Sequence, residues 1–354
     1  MAKLLSIIYP TNNRNIGFIL DSLSTILYQS YQSWELIVVK DSSFDFEDKC
    51  GFLINDYRYK IKFIDAPDNC GVGKARDIGL KNARGSYIAY LDDDDLWSQD
   101  YLQNQIDILE KSNADVVYCN YHLRTQIYND IEKKYVQHFI SIPYNVNPFD
   151  RNVLLTESFI HPSSVVHTKN VTELIEFPNL RSFSEWDFFL KISKLFRFQA
   201  NSNVLATIQR RLDNTNSRTE LNNESIHIQK RIIQEYDSDI KDEDIRKIRD
   251  MVFNAYVQEY EIKGNREAKK LETLLQNRGV EFAFAYLKML LDRNEINASI
   301  CKVAYDISLL KNNKDLAEDF QFLTLWYSGQ ITENYSTYIP KYFERNNEQW
   351  NALL

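Results

Sequence analysis

The sequence predicts an α/β N-terminal domain on a mainly parallel sheet, residues 1–220, followed by an all-α C-terminal region, residues 221–354. Three observations predict it. Short apolar runs alternate with helix-spaced segments as far as residue 119. Strand-type runs stop near residue 220, whereas helical spacing continues. Three early strands also end on polar groups: Pro10-Thr11, Asp41-Ser42 and four consecutive aspartates, Asp92, Asp93, Asp94 and Asp95. Strands alternating with helices imply right-handed crossovers and parallel pairing. Ligands of such sheets sit at the carboxyl ends of the strands, so these polar groups should line one edge.

Residues 4–9 form an apolar run closed by Pro10, which reads as a buried strand. Ile19, Leu23, Ile26 and Leu27 then fall at helical spacing, and residues 34–39 make a second strand stopped by Lys40-Asp41. A weak helix over residues 46–55 leads to a third strand at residues 60–64. Residues 73–83 are helical, and residues 86–91 are the strand that runs into the aspartates. Leu102, Ile106 and Leu109 mark a further helix, and residues 114–119 a further strand. Residues 122–160 are less regular, and residues 159–167 read as a turn running into a strand. Ser184-Glu185-Trp186-Asp187 opens a helix, residues 203–209 form a strand, and residues 210–218 are polar. Beyond residue 220, Ile245, Ile248, Val252, Ala255 and Tyr256 repeat at helical spacing, with Gly264, Gly279 and Gly329 as punctuation.

A chain of 354 residues, 44% hydrophobic and 13% aromatic, has apolar surface for a large core and length for about two domains. Its net charge of −8 disfavours nucleic-acid binding through a general basic surface. Cys50, Cys70, Cys119 and Cys301 form no CxxC pair and no zinc spacing with the five histidines, so reduced thiols in a cytosolic protein are expected. No signal peptide and no transmembrane run is expected, and peripheral association with a membrane stays open.

Four adjacent carboxylates at the end of a core strand repel one another and raise one another's pKa. Solvent or a cation must offset that charge. Residues 92–95 therefore read either as a solvated acidic loop or as the seat of a divalent cation carrying phosphates.

The first 218 residues resemble the family 2 glycosyltransferases, which have the GT-A fold, a Rossmann-like arrangement. The resemblance rests on ordered blocks: residues 6–14 (SIIYPTNNR), 34–43 (WELIVVKDSS), 69–79 (NCGVGKARDIG) and the DXD-like residues 91–95. It implies transfer of a sugar from a nucleotide donor, usually UDP-linked, to an acceptor hydroxyl, with Mn²⁺ or Mg²⁺ and inversion at the anomeric carbon. Pro10, Thr11, Asn13, Arg14, Asp41, Asn69, Gly71, Arg76, Asp92 and Asp93 would bind the nucleotide-sugar. Asp94 would hold the metal directly, with Asp92 and Asp213 beside it. Asp93 and Asp95 would also orient the following turn.

The family places its base at a helix start, often in a Glu-Asp pair. Glu185 takes that position here, with Asp187 as a second catalytic candidate. Ser184 and Asp187 also fit a capping box, which is a structural role. Three departures stand out: Lys40 where many members have Asp, Glu185 for the usual Asp, and Asp213 for a His. His161 and Arg211 are candidates for the acceptor side, although a structural histidine and a surface loop account for them equally.

Gly71-Val72-Gly73-Lys74 lacks the first Gly and the Ser/Thr of a P-loop, and no dinucleotide fingerprint is present. The leading expectation is a metal-dependent inverting transferase of bacterial surface or secreted glycan synthesis, cytoplasmic or at the inner membrane face. Its acceptor would be a glycan or lipid-linked saccharide. A sugar-phosphate nucleotidyltransferase and an inactive transferase-like scaffold are the alternatives. The helical region would serve homo-oligomerisation or the docking of acceptor or partner enzymes.

Overall fold

The computed structural model describes residues 2–12, 15–41, 45–67, 70–129, 134–141, 148–180, 182–211, 223–292 and 297–327. They form two compact units. The first comprises residues 1–220 and 231–250, so a helical segment beyond residue 220 is part of it. The second comprises residues 221–230 and 251–354.

The first unit opens with β1 (Leu5–Thr11), α1 (Ile16–Leu27), β2 (Trp34–Asp41), α2 (Phe46–Ile54), β3 (Ile61–Ala66), α3 (Val72–Lys81) and β4 (Tyr87–Tyr90). Its strands β3, β2, β1 and β4 lie side by side and parallel. All of β1 and β4 is buried, as expected for strands covered on both faces. Ile19, Leu23 and Ile26 of α1 pack with Leu5, Ile7 and Leu36 in one core cluster.

The rest of the sheet is mixed. It is built from β5 (Leu96–Trp97), β6 (Val116–Asn129), β7 (Lys134–Ser141), β8 (Val165–Thr168) and β9 (Phe198–Arg211). β8 runs antiparallel between β4 and β6, and β9 pairs parallel with β6 and antiparallel with β5. β7 hangs on β6 as an antiparallel partner across residues that looked irregular in sequence. The helices among these strands are α4 (Tyr101–Lys111), α5 (Arg151–Thr156), α6 (Asn170–Leu174) and α7 (Ser184–Ile192).

The remaining helices are α8 (Asn223–Glu235), α9 (Glu243–Arg278), α10 (Val280–Asp292), α11 (Ala298–Leu310) and α12 (Lys314–Tyr327). Within the second unit, Leu271, Leu287, Ile300, Ile307, Leu316 and Phe320 belong to one separate core. Among the described residues no helix is long and apolar enough to cross a membrane.

Candidate active site

β1, β2 and β4 all end at the same edge of the sheet, and the site grows from there. Thr11 closes β1, and its hydroxyl donates to Asp93 Oδ2 at 2.8 Å. Pro10 pairs in register with Val39, and Asp41 with Ala66. Beyond β4 the Leu91 N–H donates to the Ile8 carbonyl at 3.1 Å, and the Asp95 N–H returns to the Asp92 carbonyl at 3.0 Å. This turn sends the four carboxylates to different partners.

Asp92 is the most open of the four. Arg76 Nη2 bridges its two oxygens at 2.7 and 2.9 Å, and its N–H donates to Ser163 Oγ at 3.2 Å. Asp93 is buried against Thr11. Asp94 Oδ2 lies 2.6 Å from Arg211 Nη2. Asp95 accepts from Ser163 Oγ at 2.6 Å and from the Gln209 N–H at 3.1 Å. Burial, reinforced by Asp94 and Asp92, holds the Asp95 carboxyl well above the usual range. Two buried guanidinium groups thus supply countercharge that the sequence alone left to solvent or a cation.

Arg76 comes from the first turns of α3 and is 2% exposed. Its Nε and Nη1 have no hydrogen-bond partner. A buried donor left unsatisfied costs about 1–3 kcal/mol, so an anionic ligand that accepts from these nitrogens would recover that energy. Two glycines bring α3 to the site. Gly71 opens the helix at φ 87° and ψ 152°, a backbone region open essentially to glycine alone. At Gly73 a Cβ would stand 2.4 Å from the Pro178 carbonyl and 3.2 Å from Ser184 Cβ. Only a residue without a side chain lets α3 lie this close to the start of α7.

α7 carries Glu185, which is half-buried, and Asp187, which is 3% exposed. The capping box expected from Ser184 and Asp187 is not formed. Phe183 is the N-cap, in the left-handed region at φ 56°, and the Asp187 N–H bonds to its carbonyl. Both Asp187 oxygens are engaged, Oδ1 by the Tyr236 hydroxyl at 2.9 Å and Oδ2 by Lys191 at 2.7 Å. The Asp187 carboxylate is therefore turned to packing partners.

His161 Nδ1 lies 3.6 Å from Asp95 Oδ2. Burial holds its pKa below the usual histidine value, and the charges of Asp92, Arg76, Glu185 and Asp94 all act on it. The acid run and Glu185 therefore share one electrostatic neighbourhood. Ligand atoms of Asp92, Asp95 and His161 lie within 4.8 Å of one another. Carboxylate oxygens with a neutral imidazole suit a hard divalent cation such as Mn²⁺, so the donor chemistry fits a metal. Asp95 is the poorest of the three, being sealed and already bonded twice.

Arg211 ends β9 with its guanidinium 4.7 Å from the Phe18 ring centre and 5.9 Å from that of Tyr135. It belongs to the acid run through Asp94 and is not in a surface loop. Asn13, Arg14, Asn69 and Asp213 lie outside the described residues, as does the side chain of Asp41. Sequence reading missed Ser163, Gln209 and Tyr236. Ser163 stands in the noted turn at residues 159–167, but nothing in its local pattern marks it as a partner of residues 68 and 71 positions away.

The sequence profile of Glycosyl transferase family 2 matches residues 6–165. An uncharacterized glycosyltransferase of Haemophilus influenzae is 30% identical over 207 residues, which cover 57% of this chain and 78% of that protein. The Escherichia coli UDP-Glc:alpha-D-GlcNAc-diphosphoundecaprenol beta-1,3-glucosyltransferase WfgD is 36% identical over 134 residues, 38% of this chain and 51% of that one. Among solved structures, S. aureus TarS 1–349 in complex with UDP-GlcNAc superposes with a TM-score of 0.52 at 16% identity, covering 94% of this chain and 93% of that chain. This last likeness is one of fold.

Proposed function

The chain belongs to glycosyl transferase family 2, and from that premise we propose that it moves a sugar from a UDP-sugar to an acceptor hydroxyl with inversion. The observation that carries the reading is Arg76. It is buried at the strand-end edge, tied through one nitrogen to Asp92, and has two further buried donors without a hydrogen-bond partner. A donor diphosphate or its nucleoside is the chemistry that would satisfy them.

Glu185 is the base in this reading. It takes the proton of the acceptor hydroxyl as the oxygen attacks the anomeric carbon, and the bond to the diphosphate breaks on the opposite face, which inverts the centre. Asp187, with both oxygens engaged, serves to hold the helix start. Asp92 orients the donor through Arg76, and Thr11 with Asp93 shapes the strand edge beside it. When bound, Mn²⁺ or Mg²⁺ supplies positive charge against the departing diphosphate, and Asp92, Asp94 and His161, with Asp213, are the residues that would hold it.

The acceptor in this reading is a glycan or lipid-linked saccharide of bacterial surface synthesis; the name of WfgD gives a lipid-linked acceptor, alpha-D-GlcNAc-diphosphoundecaprenol. Such a reaction belongs in the cytoplasm or at the inner membrane face. The helical region would serve self-association or acceptor docking. A panel of UDP-sugars with Mn²⁺ and Mg²⁺, read as release of UDP, tests the reading. Glu185→Gln should lower turnover about 10²–10⁴-fold and Asp94→Ala should weaken metal dependence. Full activity in both variants overturns the mechanism.

A further inference from the structure

The start of α7 is a strained turn held from three sides. Phe183 adopts the left-handed conformation at φ 56°, which a bulky residue occupies only where its surroundings impose it. Two residues later comes Glu185. Trp186 is fixed by its indole N–H, which donates to the Leu154 carbonyl at 2.7 Å. Ser184 is pressed against Gly73. The third tie comes from beyond residue 220: the Tyr236 hydroxyl donates to Asp187 Oδ1 at 2.9 Å.

Tyr236 is itself firmly placed. It is 3% exposed, and burial with the neighbouring Asp187 charge pushes its phenol pKa up, so it stays a donor. The Lys194 ammonium sits 4.8 Å from its ring centre and 2.8 Å from Asp239. Arg151 reaches the same Asp239 at 2.7 Å and Ser193 at the end of α7 at 3.0 Å. Asp237 takes Arg249 at 2.9 Å and Arg246 at 3.3 Å. Residues 236–239 are thus riveted to α5 and α7 on one side and to α9 on the other.

We propose that Tyr236 is a positioning residue for the reaction. Through Asp187 it keeps the strained first turn of α7 in place and so fixes where Glu185 meets the acceptor. The segment 231–250 is then part of the catalytic apparatus, not only of its packing. The inference rests on Glu185 being the base. Removing the hydroxyl lets the turn relax, which misplaces the base without touching the Arg76 and Asp92 end of the site.

The test uses the full chain with UDP-GlcNAc and UDP-glucose as donor probes and Mn²⁺ present, with UDP release as the rate and calorimetric UDP binding as the second readout. Tyr236→Phe should lower kcat about tenfold or more, with UDP affinity and donor KM within about twofold of wild type. Asp187→Asn, whose amide oxygen still accepts from Tyr236, should retain more kcat than Asp187→Ala. Ile106→Val, a core change in α4, controls for stability and should lower Tm while leaving kcat unchanged. Wild-type kcat in Tyr236→Phe, or equal losses in kcat and UDP affinity, overturns the proposal. If Glu185→Gln also keeps full kcat, the base assignment itself has failed. If Glu185→Gln is inactive while Tyr236→Phe is normal, only the positioning role has failed.

Discussion

Arg211 Nη2 lies 2.6 Å from Asp94 Oδ2, and both side chains are nearly sealed from solvent. The guanidinium also stands over Phe18 and Tyr135. This pair occupies the carboxylate proposed to hold the metal, so a cation and Arg211 would compete for one oxygen. Arg211→Met leaves Asp94 without this buried counter-ion, at a cost of about 3–5 kcal/mol. The expected outcome is a lower Tm without metal and a Mn²⁺ affinity about tenfold tighter, equivalent to about 1.4 kcal/mol. Mn²⁺ should then restore the Tm of the variant more than it raises that of wild type. Calorimetric titration of Mn²⁺ in the absence of donor decides it, and equal affinities would rule out competition.

Arg76 meets Asp92 with one nitrogen and keeps the rest of its fork buried. Lysine offers a single point charge and no fork. Arg76→Lys should therefore keep part of the ion pair but lose the donors proposed for the nucleotide. Hydrogen bonds to charged groups contribute about 1.5–3 kcal/mol, so UDP affinity should fall roughly ten- to a hundredfold. Calorimetry with UDP measures this, and an unchanged Kd would remove Arg76 from the donor site.

Gly73 gives a test in which two effects have opposite signs. Helix propensity alone favours Ala over Gly by about 0.5–1 kcal/mol. The new Cβ, however, would stand 2.4 Å from the Pro178 carbonyl, a backbone atom with little room to move. Overpacking of this kind costs about 1–3 kcal/mol, so it outweighs propensity. Gly73→Ala should destabilise the first unit and lower kcat by displacing α7 relative to α3. Urea unfolding gives the sign, and a stabilised variant would show that the contact is easily relieved.

His167 gives the pH dependence. It is fully buried, its Nδ1 bonded to the Thr168 carbonyl and its Nε2 to the Tyr90 hydroxyl. A carbonyl only accepts, so Nδ1 carries the proton and Nε2 accepts from Tyr90. Burial depresses its pKa to about 4, whereas the unfolded chain titrates near 6.5. The unfolded state therefore binds more protons between these values, and stability falls as pH drops from about 6.5 to about 4, by on the order of 3 kcal/mol. Asp95 acts with the opposite sign, since its raised pKa favours the fold below the unfolded value and loses that contribution as pH rises. His167→Gln should flatten the acid side of a urea-derived stability profile. The same slope in the variant would assign the loss to other groups.

The parallel half of the sheet was legible because its information is local. Buried parallel strands are continuous apolar runs, and β1, β2 and β4 fall on residues 4–9, 34–39 and 86–91 within a residue or two. The strand-end rule then places Thr11 and the aspartates on one edge. β7 and the long extension of β6 were not legible, because their pairing depends on partners distant in the chain.

The sequence by itself determined the family, the strand edge and the residue types of the proposed site: four carboxylates, Arg76, and an acid at a helix start. Only the tertiary structure decided which group neutralises which. Arg211 and Asp94 are 117 positions apart, and Tyr236 and Asp187 are 49 apart. The polar partners Ser163 and Gln209 lie 68 and 114 positions from Asp95. A like-charge run states the electrostatic problem locally. Its solution depends on low-dielectric burial and on which distant side chains the fold brings within about 3 Å.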